Sequence, residues 1–223
     1  MRQIAYKFDL DSGTSWEYQL QFDDLNCLTS LKNSVPRAWT ALEFHKCSHC
    51  PLSSQTHPHC PVAQNIDAIV EDSKAIISYT EVTVTVTTPE RQYKKRCAVQ
   101  QGLLSLFGLI MATSGCPHLD WLRPLARFHL PFASIEEALF RALSLQLTSE
   151  FFNNRRLGVE ASKSELEKCY AKVSTLNHCF IERIRSYCSG DADKNAIAAL
   201  DIWVQAFNIY QEDNFEPIKK YFE

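Results

Sequence analysis

The sequence predicts an α+β protein in which a small antiparallel sheet at the N-terminus packs on a C-terminal helical bundle. Residues 1–22 and 76–88 alternate apolar and polar side chains at period two, which is typical of strands. From Tyr93 onward the apolar residues recur at helical spacing. We therefore divide the chain into a sheet-bearing part with a metal knuckle, residues 1–92, and a helical part, residues 93–223, and expect them to form one integrated globular unit.

The first 22 residues predict a β-hairpin, because two alternating segments flank the turn-forming residues 11–13 (Asp-Ser-Gly). Residues 38–45 alternate less cleanly and predict a strand that leads into Cys47. Residues 76–88 are rich in valine and threonine and predict a further strand. Between these two strands, residues 61–72 carry apolar side chains at helical spacing and predict one short helix. We expect about four strands in all.

Helical patterns dominate the rest of the chain and predict roughly five helices. Residues 103–113 predict a buried helix that stops near Ser114, and residues 118–128 predict a shorter one that Pro124 interrupts. Ser134 and Ser162 each precede a glutamate by three residues, which is the capping-box pattern that opens a helix. We expect the second of these helices to end at Gly190 and the last helix to begin directly after it.

Composition excludes several classes of function. The chain has 223 residues, 45% of them hydrophobic, and a net charge of -3, so neither nucleic acid nor an anionic membrane is an expected partner. We interpret the basic cluster at residues 91–96 as a solvated turn. The longest apolar run, residues 103–113, is about half of the ~20 residues needed to span a bilayer. The charged N-terminus is unlike a signal peptide, so we expect a cytoplasmic location. No glycine-rich phosphate loop is present, and no catalytic residue can be identified.

Four cysteines have the pattern of a metal site. Cys47 and Cys50 form a C-x2-C pair, whose two thiolates can reach one ion from a single tight turn. Cys60 follows ten residues later, and Cys116 repeats the Cys-Pro dipeptide found at Cys50 and Cys60. Proline is favoured at the first position of a helix, so Cys60 and Cys116 would be N-caps, where the helix dipole stabilises a thiolate. We expect these four residues to bind a metal that ties the two parts of the chain together.

Two hypotheses remain open for the metal. A zinc ion with a structural or partner-binding role is favoured, because zinc is the common occupant of C-x2-C sites. The nearby imidazoles offer substitutes for a missing thiolate: His49, His57, His59 and His118. The alternative is an iron–sulfur cluster with a role in electron transfer, redox sensing or an enzymatic reaction. Buried reduced thiols and a catalytic dithiol are further alternatives. We interpret three later cysteines on one helix as core or surface thiols: Cys169, Cys179 and Cys188.

A polar stretch after Cys116 is a candidate pocket beside the metal. Its members are His118, Arg123, Arg127 and His129. His129 could act as an acid or base, or bind an anion together with the arginines. In the alternative interpretation, the arginines only pair with carboxylates.

Two further segments are distinctive, residues 111–118 (MATSGCPH) and residues 129–133 (HLPFA), together with the Cys-Pro motifs at Cys50 and Cys60. In these segments the chain resembles a bacterial family of the domain-of-unknown-function kind, and the resemblance covers most of the chain. It implies a bacterial cytoplasmic protein in which the Cys-Pro and His129 segments are the functional parts. It implies no particular activity.

Overall fold

The structure is a computed structural model that describes residues 2–30, 35–155, 158–189, 191–212 and 215–223. The strands are β1 (Arg2–Leu10), β2 (Ser15–Phe22), β3 (Leu28–Ser30), β4 (Glu81–Thr87) and β5 (Gln92–Ala98). The helices are α1 (Pro61–Ser73), α2 (Val99–Thr113), α3 (Arg123–Arg127), α4 (Ile135–Phe152), α5 (Val159–Arg185), α6 (Ala192–Glu212) and α7 (Glu216–Lys219). This is the predicted α+β arrangement, with the sheet in the N-terminal part and most helices after it.

The strands form one antiparallel sheet in the order β3-β2-β1-β4-β5. β1 lies at the centre, so Phe8 is opposite Trp16 of β2 on one side and Val84 of β4 on the other. The alternation seen in the sequence places Tyr6, Phe8 and Val84 on the buried face, where each is 0% exposed. The helices cover this face, and one hydrophobic cluster runs from the sheet into them.

Helix α2 begins directly after β5 and packs closely on the buried face. A Cβ atom on Gly102 would lie 2.6 Å from Cε1 of Phe8 and 2.8 Å from Cγ2 of Val84, so the close approach of α2 requires glycine. On its other side α2 contacts α6, which pairs with α5. None of the described helices has the length and apolar character that crossing a bilayer requires.

Several predicted elements are confirmed. The hairpin of β1 and β2 turns at Gly13, whose φ of 87° lies in the left-handed region. α1 begins at Pro61 as predicted, and α2 ends at Thr113. At the start of α4, the N–H of Glu137 donates to Oγ of Ser134 at 3.2 Å, and the N–H of Ser134 donates to the Glu137 carboxylate at 2.7 Å. This is the predicted capping box.

The strand predicted over residues 38–45 is wrong. Ala38–Thr40 form a 3-10 turn, and Ala41 makes an isolated bridge to His59. The cause is a pair of side-chain anchors: the indole N–H of Trp39 donates to Oδ1 of Asp67 at 2.7 Å, and Arg183 donates to carbonyls of the segment. These long-range contacts replace a strand ladder, so a turn rather than a strand leads into Cys47.

The helical pattern predicted from Tyr93 is wrong for its first residues, because Gln92–Ala98 form the edge strand β5. This strand pairs with β4 and is held at its far end by Arg96, which donates to both carboxylate oxygens of Asp11 at 2.9 and 2.7 Å. The sheet therefore extends past the predicted boundary at residue 92. The basic residues of β5 are mostly exposed, and charge on an edge strand discourages pairing with other chains.

The capping box predicted at Ser162 is also wrong. α5 begins earlier, at Val159, with Gly158 as its N-cap, and Oγ of Ser162 instead donates to Oε1 of Glu150 at 2.6 Å. The helix end predicted at Gly190 is wrong as well, because α5 ends at Arg185 with Ser186 as its C-cap; Gly190 itself lies outside the described residues. The last long helix, α6, begins at Ala192.

Candidate metal centre

The four cysteines predicted as ligands enter one region from three segments of the chain. Cys47 and Cys50 lie on a tight turn, in which the N–H of Cys50 donates to the carbonyl of Cys47 at 3.0 Å. Cys60 is the N-cap of α1, and Pro61 lies in the first turn of that helix. Cys116 follows α2 after Gly115, whose φ of 81° redirects the chain.

Four other thiols lie close enough to Cys47 to affect its pKa, and one of them, Cys179, is not among the predicted ligands. Burial raises the pKa of the Cys47 thiol well above its usual range, and the thiols of Cys179, Cys60, Cys50 and Cys116 raise it further. We call these five residues the thiol cluster. Its members come from the turn, the start of α1, the end of α2 and the middle of α5.

Arg183 of α5 lies beside the thiol cluster and is 2% exposed. Burial lowers the pKa of its guanidinium, and four members of the cluster oppose that lowering. The guanidinium donates to the carbonyls of Trp39 and Ala41 at 2.8 Å each and to that of Leu42 at 3.1 Å. Arg183 thus fastens α5 to the segment that leads into Cys47.

Main-chain N–H groups face two of the sulfur atoms. Two N–H groups in the first turn of α1 donate toward the sulfur of Cys60, and those of His118 and Leu119 donate toward the sulfur of Cys116. These donors lower the thiol pKa values, but burial is the larger effect and raises the pKa of Cys60 above its usual value and that of Cys116 to about 11. Both are therefore neutral thiols at pH 7 without a metal, so a metal would have to displace their protons.

Two of the predicted substitute ligands, His49 and His118, form a stacked pair with ring centroids 4.1 Å apart. Nε2 of His118 lies 2.8 Å from the carbonyl of His49, and Nε2 of His49 lies 3.1 Å from the carbonyl of Lys172. Burial and the neighbouring His118 lower the pKa of His49. Since each ring has one nitrogen held by a main-chain carbonyl, the pair is fixed in place next to the turn of the thiol cluster.

The other two predicted substitutes, His57 and His59, have local partners. Nδ1 of His59 lies 2.9 Å from the hydroxyl of Thr40, and Nδ1 of His57 lies 2.9 Å from the hydroxyl of Thr56. Both imidazoles therefore stabilise the loop between the turn and α1.

Arg123 and Arg127, predicted to line a pocket beside the metal, have separate surroundings. Arg123 donates to the sulfur of Cys27 at 2.9 Å and to the carboxylate of Asp120 at 2.7 Å. Arg127 is exposed, and its guanidinium lies 5.7 Å from the centre of the Phe128 ring. The contact with Asp120 corresponds, for Arg123, to the interpretation in which the arginines pair with carboxylates.

His129, the fourth residue of the predicted pocket, is part of a buried hydrogen-bonded chain. Its Nε2 lies 2.5 Å from the hydroxyl of Tyr6, which lies 3.1 Å from the hydroxyl of Ser105. Burial, with smaller contributions from Arg141 and Arg2, lowers the pKa of His129 to about 3, so the imidazole is neutral. The ring is therefore held as an acceptor or donor to Tyr6 and carries no charge.

His129 also lines a cavity of about 250 Å³ among α2, α4, α5, α6 and residues 119–133. Most of the wall is apolar, as at Leu104, Val173 and Phe207. The wall includes Ala112 and Leu119, on either side of Cys116 in the sequence, so the cavity extends toward the end of α2 that carries a member of the thiol cluster.

The sequence analysis missed two residues of this region, Cys179 and Arg183. Cys179 was interpreted as a core or surface thiol, yet it is the first neighbour that raises the pKa of Cys47. Cys179 and Arg183 are four residues apart on α5 and so share one face of the helix. The four-residue spacing in the sequence therefore indicates that the thiol and the guanidinium lie near each other. It does not indicate that both contact the distant turn that carries Cys47.

Among the residues that the structure describes, no three cysteine, histidine, aspartate or glutamate side chains are placed so that they could hold a single metal ion. The thiol cluster is thus a set of donors that share a neighbourhood without closing on one point. Its chemistry suits a soft or borderline metal, because thiolate is its only abundant donor.

Comparison with known proteins gives one match. A family model described as "Domain of unknown function (DUF6901)" matches residues 4–223. Neither a curated protein nor a solved structure matches the chain.

Proposed function

The chain belongs to the DUF6901 family, whose description names no activity, and we propose from its thiol cluster that it is an iron–sulfur protein with a redox role. The observation that carries this proposal is that the cysteine-bearing segments meet. Nε2 of His118 lies 2.8 Å from the carbonyl of His49, and the N–H of Cys60 donates to the carbonyl of Thr40 at 2.8 Å. The buried Arg183 donates to the carbonyl of the adjacent Ala41 at 2.8 Å. The iron–sulfur cluster would be held by four members of the thiol cluster: Cys47, Cys50, Cys60 and Cys116. Cys179 would lie next to it as a fifth thiol.

The spacing that each kind of centre needs supports a cluster over a single ion. A zinc ion with Zn–S bonds of about 2.3 Å draws four sulfur atoms to about 3.8 Å from one another. An iron–sulfur cluster places iron and sulfide between its cysteines, so its ligands stand farther apart. In the described part of the chain, the thiols are near enough to perturb one another but are not placed for one ion. In our proposal an iron–sulfur cluster bridges sulfur atoms that a single zinc ion would have to draw together.

Charge and hydrogen bonding in this region suit an anionic centre. The guanidinium of Arg183 adds positive charge, and the N–H groups that face Cys60 and Cys116 would donate to the ligand sulfur atoms. Cation proximity and N–H donors to sulfur favour the more negative, reduced form of a cluster and so raise its reduction potential. These residues would therefore set the potential of the centre.

We further propose a cytoplasmic, bacterial setting for the protein. All nine cysteines are free thiols in the structure. Free thiols in this number suit a reducing compartment, where disulfides are rare.

The test replaces single cysteines and measures iron bound after purification without oxygen. We expect Cys116→Ser, which removes the ligand next to α2, to retain less than about a tenth of the iron of the parent protein. Cys169→Ser is the matched control, because Cys169 is a half-buried thiol on the same helix as Cys179 but outside the thiol cluster. The control should retain all of its iron.

Other outcomes would replace the proposal or refine it. A colourless protein that holds one zinc ion and loses it in Cys116→Ser would instead support a structural zinc site. Equal iron content in Cys116→Ser and Cys169→Ser would reject Cys116 as a ligand. Loss of iron in Cys179→Ser, to the extent seen for Cys116→Ser, would place Cys179 among the ligands.

A further inference from the structure

The apolar cavity is a second candidate site, and its argument does not depend on the metal centre. Its volume is about 250 Å³. An apolar cavity of about 150 Å³ in another protein takes up benzene, so by proportion this one has room for about ten non-hydrogen atoms. Packed interiors leave few spaces of this size, and those with an apolar wall and a few polar groups are typical of ligand sites.

Three polar side chains in the wall have hydrogen-bond partners within the described chain: Ser105, His129 and Arg141. Ser105 and His129 are joined through the hydroxyl of Tyr6, at 3.1 and 2.5 Å. The guanidinium of Arg141 donates to two main-chain carbonyls, at 2.7 and 2.8 Å. These contacts hold α2, α4 and the segment between them around the cavity. They also satisfy the polar groups of these three side chains, which therefore need no ligand.

Asn177 of α5 is a buried polar residue of the wall that lacks such partners. It lines the cavity and is 1% exposed, and within the described chain neither Nδ2 nor Oδ1 of its amide has a hydrogen-bond partner. A buried amide without partners destabilises a folded protein, whereas leucine of similar volume would fit an apolar wall. The terminal torsion of asparagine is broad, so the amide can turn toward a molecule in the cavity.

We propose that this cavity binds a small, largely apolar molecule that ends in a primary amide. Such an end group has a donor and an acceptor side by side, and so it satisfies both atoms of the Asn177 amide at once. The apolar part of the ligand lies against the aliphatic and aromatic wall, as at Leu104, Val173 and Phe207.

Calorimetry and thermal unfolding with a chosen probe test this proposal on the full chain. Octanamide has about ten non-hydrogen atoms and the required end group, and 2-nonanone has a similar size and an acceptor but no donor. We expect octanamide to bind, to raise the unfolding temperature, and to bind about tenfold more tightly than 2-nonanone, because the ketone leaves Oδ1 of Asn177 unpaired.

Two variants separate recognition from simple filling of space. Asn177→Leu should weaken octanamide binding about tenfold, change 2-nonanone binding less, and raise the unfolding temperature of the free protein. Gly108→Leu should block both probes, because Gly108 lines the cavity and a Cβ atom there would be 3.6 Å from Cδ2 of Leu200, an ordinary contact. Gly108→Ala is the matched control and should bind both probes.

The proposal is overturned if octanamide neither binds nor stabilises the protein, since water alone would then occupy the cavity. It is also overturned if Asn177→Leu and Gly108→Leu both bind octanamide as the parent does. Because these readouts require no iron, failure here and failure of the iron–sulfur proposal are distinguishable.

Discussion

Replacement of Arg183 by methionine tests how the thiol cluster is assembled. Methionine keeps much of the apolar stem of arginine but loses the three hydrogen bonds to the carbonyls of Trp39, Ala41 and Leu42. The carbonyl of Ala41 retains the N–H of Phe44 at 3.1 Å, so the largest penalties arise at the other two carbonyls.

The cost follows from the hydrogen bonds that the charged donor makes. A hydrogen bond to a charged group contributes about 1.5–3 kcal/mol, and a buried acceptor left without a partner costs about 1–3 kcal/mol. The Arg183 side chain is 2% exposed, so water cannot readily replace it at these two carbonyls. We therefore expect the free energy of unfolding to fall by about 3–5 kcal/mol. The segment that leads into Cys47 should also loosen, so the variant should retain less metal.

Urea unfolding, followed by far-UV circular dichroism, measures this loss. Arg185→Met is the matched control, because Arg185 is on the same helix, is 60% exposed, and pairs with the exposed Glu182 at 2.6 Å. The control should leave the unfolding midpoint unchanged, since exposed ion pairs contribute little. If Arg183→Met is within about 1 kcal/mol of the parent, Arg183 does not anchor the segment in the way we describe.

Two further predictions concern the core. The Ser73 hydroxyl lies 2.6 Å from the carbonyl of Ile69 and 2.6 Å from Oδ1 of Asp193. The hydroxyl has one proton and can donate to only one of these oxygens. If it donates to Ile69, a protonated Asp193 can donate to the hydroxyl. Burial raises the pKa of the Asp193 carboxyl from 3.8 to about 7. Between these two pH values the folded state binds a proton that the unfolded state has lost. The free energy of unfolding should therefore fall as the pH rises from about 4 through about 7. Asp193→Asn should flatten that dependence in urea titrations, and an unchanged slope would contradict a buried neutral carboxyl. Gly102→Ala should destabilise by about 1–3 kcal/mol, because the new methyl group would meet Phe8 and Val84. Gly108→Ala should be neutral or stabilising by thermal unfolding, because its Cβ would make an ordinary contact of 3.6 Å with Cδ2 of Leu200; equal effects at both glycines would refute the close approach of α2 to the sheet.

Local patterns in the sequence predicted the elements that form through nearby residues and need no specific contact with a distant side chain. The hairpin of β1 and β2, the start of α1 at Pro61 and the capping box at Ser134 depend on alternation, turn residues and caps that lie within a few positions of one another. The α+β class followed from the same signals, since strand patterns precede helix patterns along the chain.

The errors arose where distant side chains decide the local conformation. The segment at residues 38–45 looks like a strand, but Asp67 and Arg183, which bind it, are far away in the sequence. Strand β5 was missed because its buried positions are few and an exposed edge strand tolerates lysine and arginine. Cys179 was missed for a similar reason, because its neighbours in the thiol cluster come from other segments and the spacing within α5 does not indicate them. The cavity and the unpaired amide of Asn177 depend on how four helices pack, which no local pattern determines.

The most direct test of the central claim is the iron and acid-labile sulfide content of the full chain, purified without oxygen, together with its visible spectrum. We predict a brown protein that contains iron and sulfide in equal amounts and bleaches when a reductant is added. A colourless protein that contains zinc, or no metal at all, would contradict the proposal that an iron–sulfur centre is held by four members of the thiol cluster, Cys47, Cys50, Cys60 and Cys116.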